Sequence, residues 1–432
     1  MRADAKLSIR FLQTQDQHQV QVLVTVAGEM PTRRPPINVA LVLDRSGSMA
    51  GAPLEAAKAA AERFAECLGT DDRLAVVTFD DEVNTLFTGA GGGSEAAARI
   101  RAIESGGCTN LSGGWLEGRR LVTAGKVEGT DRVVLFTDGL ANRGVTDLPR
   151  LVGMAGGTAK DGVTTSCIGF GPQFSEDLLS AMAASAQGHF WYVESLDQMT
   201  GAFEDEIEGL VALAAQNVVV RVTPVHPDVH GVSIPGGLPV EQDGTSWVVR
   251  LGDLLATSPR ELPIRFHVNE LETLASPDGA ATGTPGGHPV ELARVEVLAD
   301  ELRPDGVLLR RVVLPIAANL DRTDQVEPVV EETLLRFEAV DARRRAVDQA
   351  DRGDLAGAAE ILRGAAEGLR PYEARSPRSA EVADDLREQA RVMEERKEWL
   401  AEDRKYQFAV GEAEARGRYD AVTKRRRRGP GR

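Results

Sequence analysis

Five oxygen-bearing residues stand at three places where a fold could bring them together. An apolar run over residues 37–43 ends in Asp44-Arg45-Ser46-Gly47-Ser48-Met49. A glycine-rich stretch, Gly106-Gly107-Cys108-Thr109-Asn110, precedes a helical pattern that begins near Ser112. A further strand-like run, residues 133–137, ends in Thr137-Asp138-Gly139. In an open α/β sheet, the loops at the carboxyl ends of the strands meet at one crevice. Asp44, Ser46, Ser48, Thr109 and Asp138 can therefore face a single point. Every donor in this set is a hard oxygen, which suits Mg²⁺, Mn²⁺ or, less well, Ca²⁺ rather than zinc or copper. The set holds few anionic donors, and Mg²⁺ takes about six ligands, so a position stays open for water or an external carboxylate. Gly47 keeps the loop tight enough for both serine hydroxyls to turn toward one ion.

Other chemistries fit the residues less well. An Asp at the end of the first strand of such a sheet could be a phosphotransferase nucleophile. That chemistry wants a second carboxylate two residues on, where this chain has Ser46, and a positioned Lys. Gly125-Lys126 is followed by Val127 and is no phosphate-binding loop. Ser48 lies outside a G-x-S-x-G elbow. His226 and His230 are four apart, but Pro227 between them argues for a loop with surface histidines over a helical metal pair. No catalytic set emerges. The formal net charge of −16 disfavours nonspecific contact with nucleic acid or an anionic membrane. Cys67, Cys108 and Cys167 are odd in number and widely spaced, which indicates neither a disulfide framework nor a zinc site. Cys108, beside Thr109, is expected to be packed and inert. The start of the sequence lacks the apolar region of a signal peptide, and no apolar run approaches a membrane span, so the expected location is the cytoplasm.

The elements that must position the five residues are legible in outline. Residues 7–27 alternate apolar and polar side chains, as a hairpin does. From residue 37, strand-like runs alternate with helical stretches, giving a doubly wound, Rossmann-like α/β domain over residues 37–213. Its last helix, near residues 197–213, leads directly into the next segment. Residues 83–87 follow their predecessor too closely for a crossover and read as an antiparallel edge. From residue 217 short strands separated by Gly- and Pro-rich loops, notably residues 275–289, point to a β-sandwich over residues 214–325. An isolated hairpin is barely stable, so residues 1–36 are expected to join that sandwich, with the α/β domain inserted in or followed by it. Residues 326–415 read as a helical domain in which Pro371 breaks one helix and residues 379–414 form a single long charged one. Residues 416–432 form a basic, disordered tail with Lys424 and four arginines behind it.

Asp44-x-Ser46-x-Ser48, Thr109 and Asp138 resemble the D-x-S-x-S … T … D metal-ion-dependent adhesion site (MIDAS) of von Willebrand factor A domains, shared with integrin I domains. All of its positions are filled. The resemblance implies that Ser46, Ser48 and Thr109 ligate the metal directly or through water, that Asp44 and Asp138 act largely through bridging waters, and that a partner's Asp or Glu completes the sphere. It implies a non-enzymatic protein-binding role. The order of segments is similar to bacterial A-domain proteins related to inter-alpha-trypsin inhibitor heavy chains. On that resemblance the expected partner is an AAA+ ATPase, with a scaffold role in a kinase or phosphatase signalling system as the alternative; that the chain is itself a metal-dependent phosphotransferase or hydrolase ranks third.

Overall fold

The computed structural model describes residues 1–12, 17–269, 289–319, 324–396 and 399–416. The basic run at residues 424–428 and most of the 275–289 loop lie outside them. β1 (Arg2–Leu12) and β2 (Gln17–Ala27) pair antiparallel, with Arg2 opposite Ala27. The hairpin thus begins before residue 7. Ala3 and Ala5 pack against the core, and such small residues hide the alternation that marks a strand in sequence.

The α/β unit follows as β3 (Ile37–Asp44), α1 (Ala52–Glu66), β4 (Arg73–Phe79), β5 (Val83–Ala90), α2 (Gly93–Arg101), α3 (Leu111–Ala124), β6 (Thr130–Thr137), α4 (Leu148–Lys160), β7 (Val163–Phe170), α5 (Glu176–Ser185), β8 (Gln187–Val193) and α6 (Leu196–Val211). Its sheet has the order β5-β4-β3-β6-β7-β8. Only β5 runs antiparallel. Every residue of β3 and of β6 is buried, because helices cover both faces of a parallel sheet. The connection from β3 leads outward to β4, and the chain later returns to β6 on the other side of β3. This topological switch point lies between the two strands whose ends carry Asp44 and Asp138, where an open α/β sheet opens a crevice.

α6 ends at Val211 and β9 (Leu213–Pro224) starts two residues later. β10 (Val229–Ser233), β11 (Val240–Asp243), β12 (Ser246–Leu255), β13 (Arg260–Asn269), β14 (Val290–Arg303) and β15 (Gly306–Ala318) complete two antiparallel sheets of order β1-β2-β13-β10 and β11-β12-β9-β14-β15. Val20, Val22 and Val24 of one sheet and Val218, Val220 and Val222 of the other belong to one buried cluster. β2 lies beside β13, with Val24 opposite Leu262, so strands separated by the whole α/β unit share a sheet.

Four helices follow: α7 (Pro328–Asp351), α8 (Leu355–Glu373), α9 (Pro377–Arg396) and α10 (Ala401–Ala415). Two sequence expectations are corrected here. Pro371 sits inside α8 and does not break it. Leu369 and Tyr372 are buried on either side of it, and the Tyr372 hydroxyl donates to Glu331 at 3.0 Å. This packing of the last turn outweighs the loss of one backbone donor. The long charged helix is really two, α9 and α10. The Leu400 amide donates to Asp403 at 3.3 Å at the start of α10, and Trp399 donates from its indole to Asp351 of α7 at 2.7 Å.

Candidate metal centre

The loop after β3 is anchored from below by Met49, which is fully buried. Burying such a side chain contributes roughly 1.5–3 kcal/mol, enough to hold the short 3₁₀ turn Gly47–Met49 against the sheet. Asp44 is fully buried and accepts from the Ser46 amide at 2.8 Å and from the Thr137 hydroxyl at 2.5 Å. The Ser46 and Ser48 hydroxyl oxygens lie 3.2 Å apart, and Ser48 donates to Asp138 at 2.8 Å. The second loop is tied to the first by backbone bonds, Gly47 to the Gly107 carbonyl at 2.9 Å and Gly106 to the Arg45 carbonyl at 2.7 Å. Thr109 is buried and donates its amide N–H to the Asn142 Oδ1 at 2.9 Å. Three loops therefore converge: Ser46, Ser48 and Thr109 line one pocket, with Asp44 bonded to the Ser46 amide and Asp138 to the Ser48 hydroxyl.

The glycines of this centre leave room for the side chains around them. A Cβ on Gly106 would come within 1.6 Å of Asp80 Oδ2, and one on Gly107 within 1.8 Å of Asp81 Oδ2. A Cβ on Gly139 would meet Thr109 Oγ1 at 3.3 Å and Ser48 Oγ at 4.0 Å. It would fill the cradle over the hydroxyls.

Electrostatics distinguishes the inner carboxyls from the outer ones. Burial pushes the Asp44 carboxyl up to about 6, against lowering hydrogen bonds from Thr137 and Ser46, and nearby Asp138 adds to the rise. Burial also raises Asp138, offset in part by the Ser48 hydroxyl. Asp80 behaves oppositely: partial burial pushes it up, but the Glu82 and Gly107 amides and the Arg45 guanidinium hold it below the ordinary carboxylate value. Two buried carboxyls with raised proton affinity beside three hydroxyls form a donor set that a cation would relieve. Among the described residues no group of three His, Cys, Asp or Glu side chains is placed to hold a metal. Any ion in this crevice would depend on the hydroxyls, as the hard-oxygen reading requires.

An open pocket of about 610 Å³ sits over the centre, lined by Ser46, Ser48, Thr109, Leu140, Asn142 and Gln173 among others. Cys108 also lines it and is exposed, which corrects the expectation of a packed thiol. It follows two glycines that offer it no side-chain neighbours. Thr137, Asp80, Asn142 and Gln173 are parts of the site that sequence reasoning missed. Asp80 and Thr137 stand at strand ends, a usable signal; Gln173 lies in a loop with no distinguishing pattern. His230 lies in β10 beside His267, with ring centroids 6.0 Å apart.

A doubly wound sheet with this loop centre at its switch point defines the structural class. Residues 38–205 match the family model of the von Willebrand factor type A domain, so the chain carries such a domain. Protein sll0103 of Synechocystis sp. is 28% identical over 362 residues, covering 81% of this chain and 82% of that protein. Human inter-alpha-trypsin inhibitor heavy chain H3 is a more distant relative, 29% identical over 164 residues, which are 35% of this chain and 18% of that one. The solved structure of a von Willebrand factor type A protein from Catenulispora acidiphila shares the fold, with a TM-score of 0.67 at 15% identity and 96% of each chain covered. No described helix is long and apolar enough to cross a membrane.

Proposed function

We propose that Asp44, Ser46, Ser48, Thr109 and Asp138 hold one divalent cation, Mg²⁺ or Mn²⁺, and that the chain binds a protein partner whose Asp or Glu completes the metal's ligands. The observation that carries this is the Ser48 hydroxyl, which donates to Asp138 while lying 3.2 Å from the Ser46 hydroxyl. That juxtaposition gathers donors from two loops beneath an open pocket. The ion would neutralise the buried carboxyls and present its free position to solvent, so the role is binding, with no catalytic step. The double substitution Ser46→Ala/Ser48→Ala should abolish a magnesium-dependent rise in Tm and lower the chelator Tm by about a few degrees at most, since Ser48 is exposed and only two hydroxyls are lost. No Tm shift of the unsubstituted protein with Mg²⁺ or Mn²⁺ would sink the proposal.

The two antiparallel sheets are read as one split β-sandwich built from residues 1–36 and 214–325, with residues 326–415 as a helical domain. They support the α/β domain over residues 37–213 and offer a second contact surface. An adaptor for an AAA+ ATPase is the partner class this reading favours. Purification with Mg²⁺ against chelator, scored for a co-eluting ATPase, tests it.

A further inference from the structure

The helix farthest along the described chain packs against the segment next to Gln173, which lines the pocket over the candidate metal centre. α10 packs on the free edge of the α/β sheet at β8, and its Ala409 belongs to the same buried cluster as Phe174 and Phe190. Lys405 of α10 is almost wholly buried, an expensive place for an ammonium unless its donors are satisfied. They are satisfied by one short segment. Lys405 donates to the Phe174 carbonyl at 2.7 Å, its ammonium lies 4.3 Å from the centre of the Phe174 ring, and it pairs with Glu176, the first residue of α5. Next to it, Arg404 reaches Glu176 and Asp177 on one side and Asp351 of α7 on the other. The contacts of Lys405 and Arg404 with Phe174, Glu176 and Asp177 fall on the end of the β7–α5 connection and the first turn of α5. That connection also carries Gln173, which is exposed and lines the pocket over the metal centre. Phe174, the next residue after Gln173, thus links a buried cation of the helical region to the lining of the pocket.

Resting on the metal-site reading above, we infer that Gln173 is a specificity-determining contact for the bound partner and that Lys405 is the residue that positions it. The Gln173 amide offers a donor and an acceptor to whatever occupies the pocket over the metal centre. It fits a partner that presents a carboxylate to the ion and a second acceptor a few bonds away. Lys405 fixes where that amide stands by holding the neighbouring carbonyl and ring. The helical region thereby sets the affinity of the metal face for its partner without touching the metal. A surface-only role for α10 would need no buried lysine on this segment.

The test uses the full chain loaded with Mn²⁺, followed by water-proton relaxation, with glutarate as the probe because its two carboxylates can span the ion and the amide. Gln173→Ala and Lys405→Met should each weaken glutarate binding at least fivefold while the Kd for Mn²⁺ stays within twofold. The double variant should be no weaker than either single one, because both remove the same contact. Lys405→Arg, which keeps the charge, should recover part of the loss. Should Lys405→Met fail to fold, Phe174→Leu removes the ring contact and should give the same fivefold loss. Glutarate binding unchanged in Lys405→Met, or losses that multiply in the double variant, would overturn the inference while leaving the metal site standing. An unsubstituted protein that binds no Mn²⁺ would instead sink the metal reading, and this one with it.

Discussion

Asp44 sets the conditions under which the proposed site can work. Its carboxyl is raised to about 6 by burial, so in the metal-free protein it holds a proton well above the ordinary value of 3.8. A carboxyl raised on folding contributes stability that is complete below its unfolded value and is lost as pH rises through about 6. A cation competes for the same oxygens and needs the ionised form. Two trends of opposite sign follow. In chelator, the Asp44 contribution to Tm should decline from pH 5 to pH 7. In magnesium, the metal-induced rise in Tm should be largest above pH 7, and metal affinity should fall about tenfold for each unit below pH 6. Asp44→Asn should remove both trends, which thermal scans across pH 5–8 would show. A metal-induced shift undiminished at pH 5 would count against Asp44 as part of the ion's surroundings. Gly139 offers a second residue-scale check. Gly139→Val would crowd the space over Thr109 and Ser48, where even a Cβ stands 3.3 Å from the Thr109 hydroxyl. Metal affinity should fall at least tenfold with little change in the chelator Tm, as isothermal titration with Mn²⁺ can measure.

At the scale of elements, α6 is pinned by a buried charge cluster at the opposite end of the sheet. Arg132 of β6, 1% exposed, donates to Glu206 of α6 at 2.9 Å and to Thr164 of β7 at 2.8 Å, and pairs with Asp253 of β12. Trp191 and Ser166 also donate to Glu206, at 2.8 and 2.7 Å. Replacing one partner strands the others in a dry interior, which costs roughly 3–5 kcal/mol. Arg132→Met should lower unfolding free energy by about that amount in urea titrations. A loss below about 1 kcal/mol would mean the cluster is solvated on the native side. This cluster also shows what the sequence concealed. The strand β6 reads correctly from Val133 onward because its apolar run is continuous. Arg132 looked like a strand boundary and is instead at the centre of an interface, since its partners lie 74 and 121 residues away. The metal-centre residues were legible for the opposite reason: Asp44 and Asp138 sit at strand ends, and sheet topology fixes where strand ends go. The α8 proline and the α9–α10 break were misread because tertiary packing by Tyr372 and Trp399 decided them, and single-segment propensity contains no such information.

For the whole molecule, ion pairs are prominent among the contacts that join the α/β unit to the rest, so its cooperativity should depend on pH. Asp253 reaches Arg132 from the five-stranded sheet, and Arg404 with Lys405 reaches Glu176 from α10. Burial pushes the Glu176 carboxyl up, but Lys405, its own amide and Arg404 hold it below the ordinary glutamate value of 4.5. Glu301, held down by the chain's amino terminus and Arg303, and Glu331, held down chiefly by Arg10, share that direction. A depressed carboxyl contributes stability that is present above its unfolded value and is lost as pH falls through its folded one. The α10 joint should hold at pH 7 and weaken as pH falls below the ordinary glutamate value of 4.5. The four tryptophans allow this to be seen: Trp115 and Trp191 lie in the α/β unit, Trp247 in β12 and Trp399 ahead of α10. In single-tryptophan variants, urea transitions monitored by fluorescence should coincide at pH 7, as one cooperative unit requires. Below pH 4 the Trp399 transition should shift to lower urea than that of Trp115, because the α10 joint opens before the sheet melts. Separate transitions already at pH 7 would show that the α/β unit is independent of its neighbours, and would remove the physical route by which the helical region could act on the metal face.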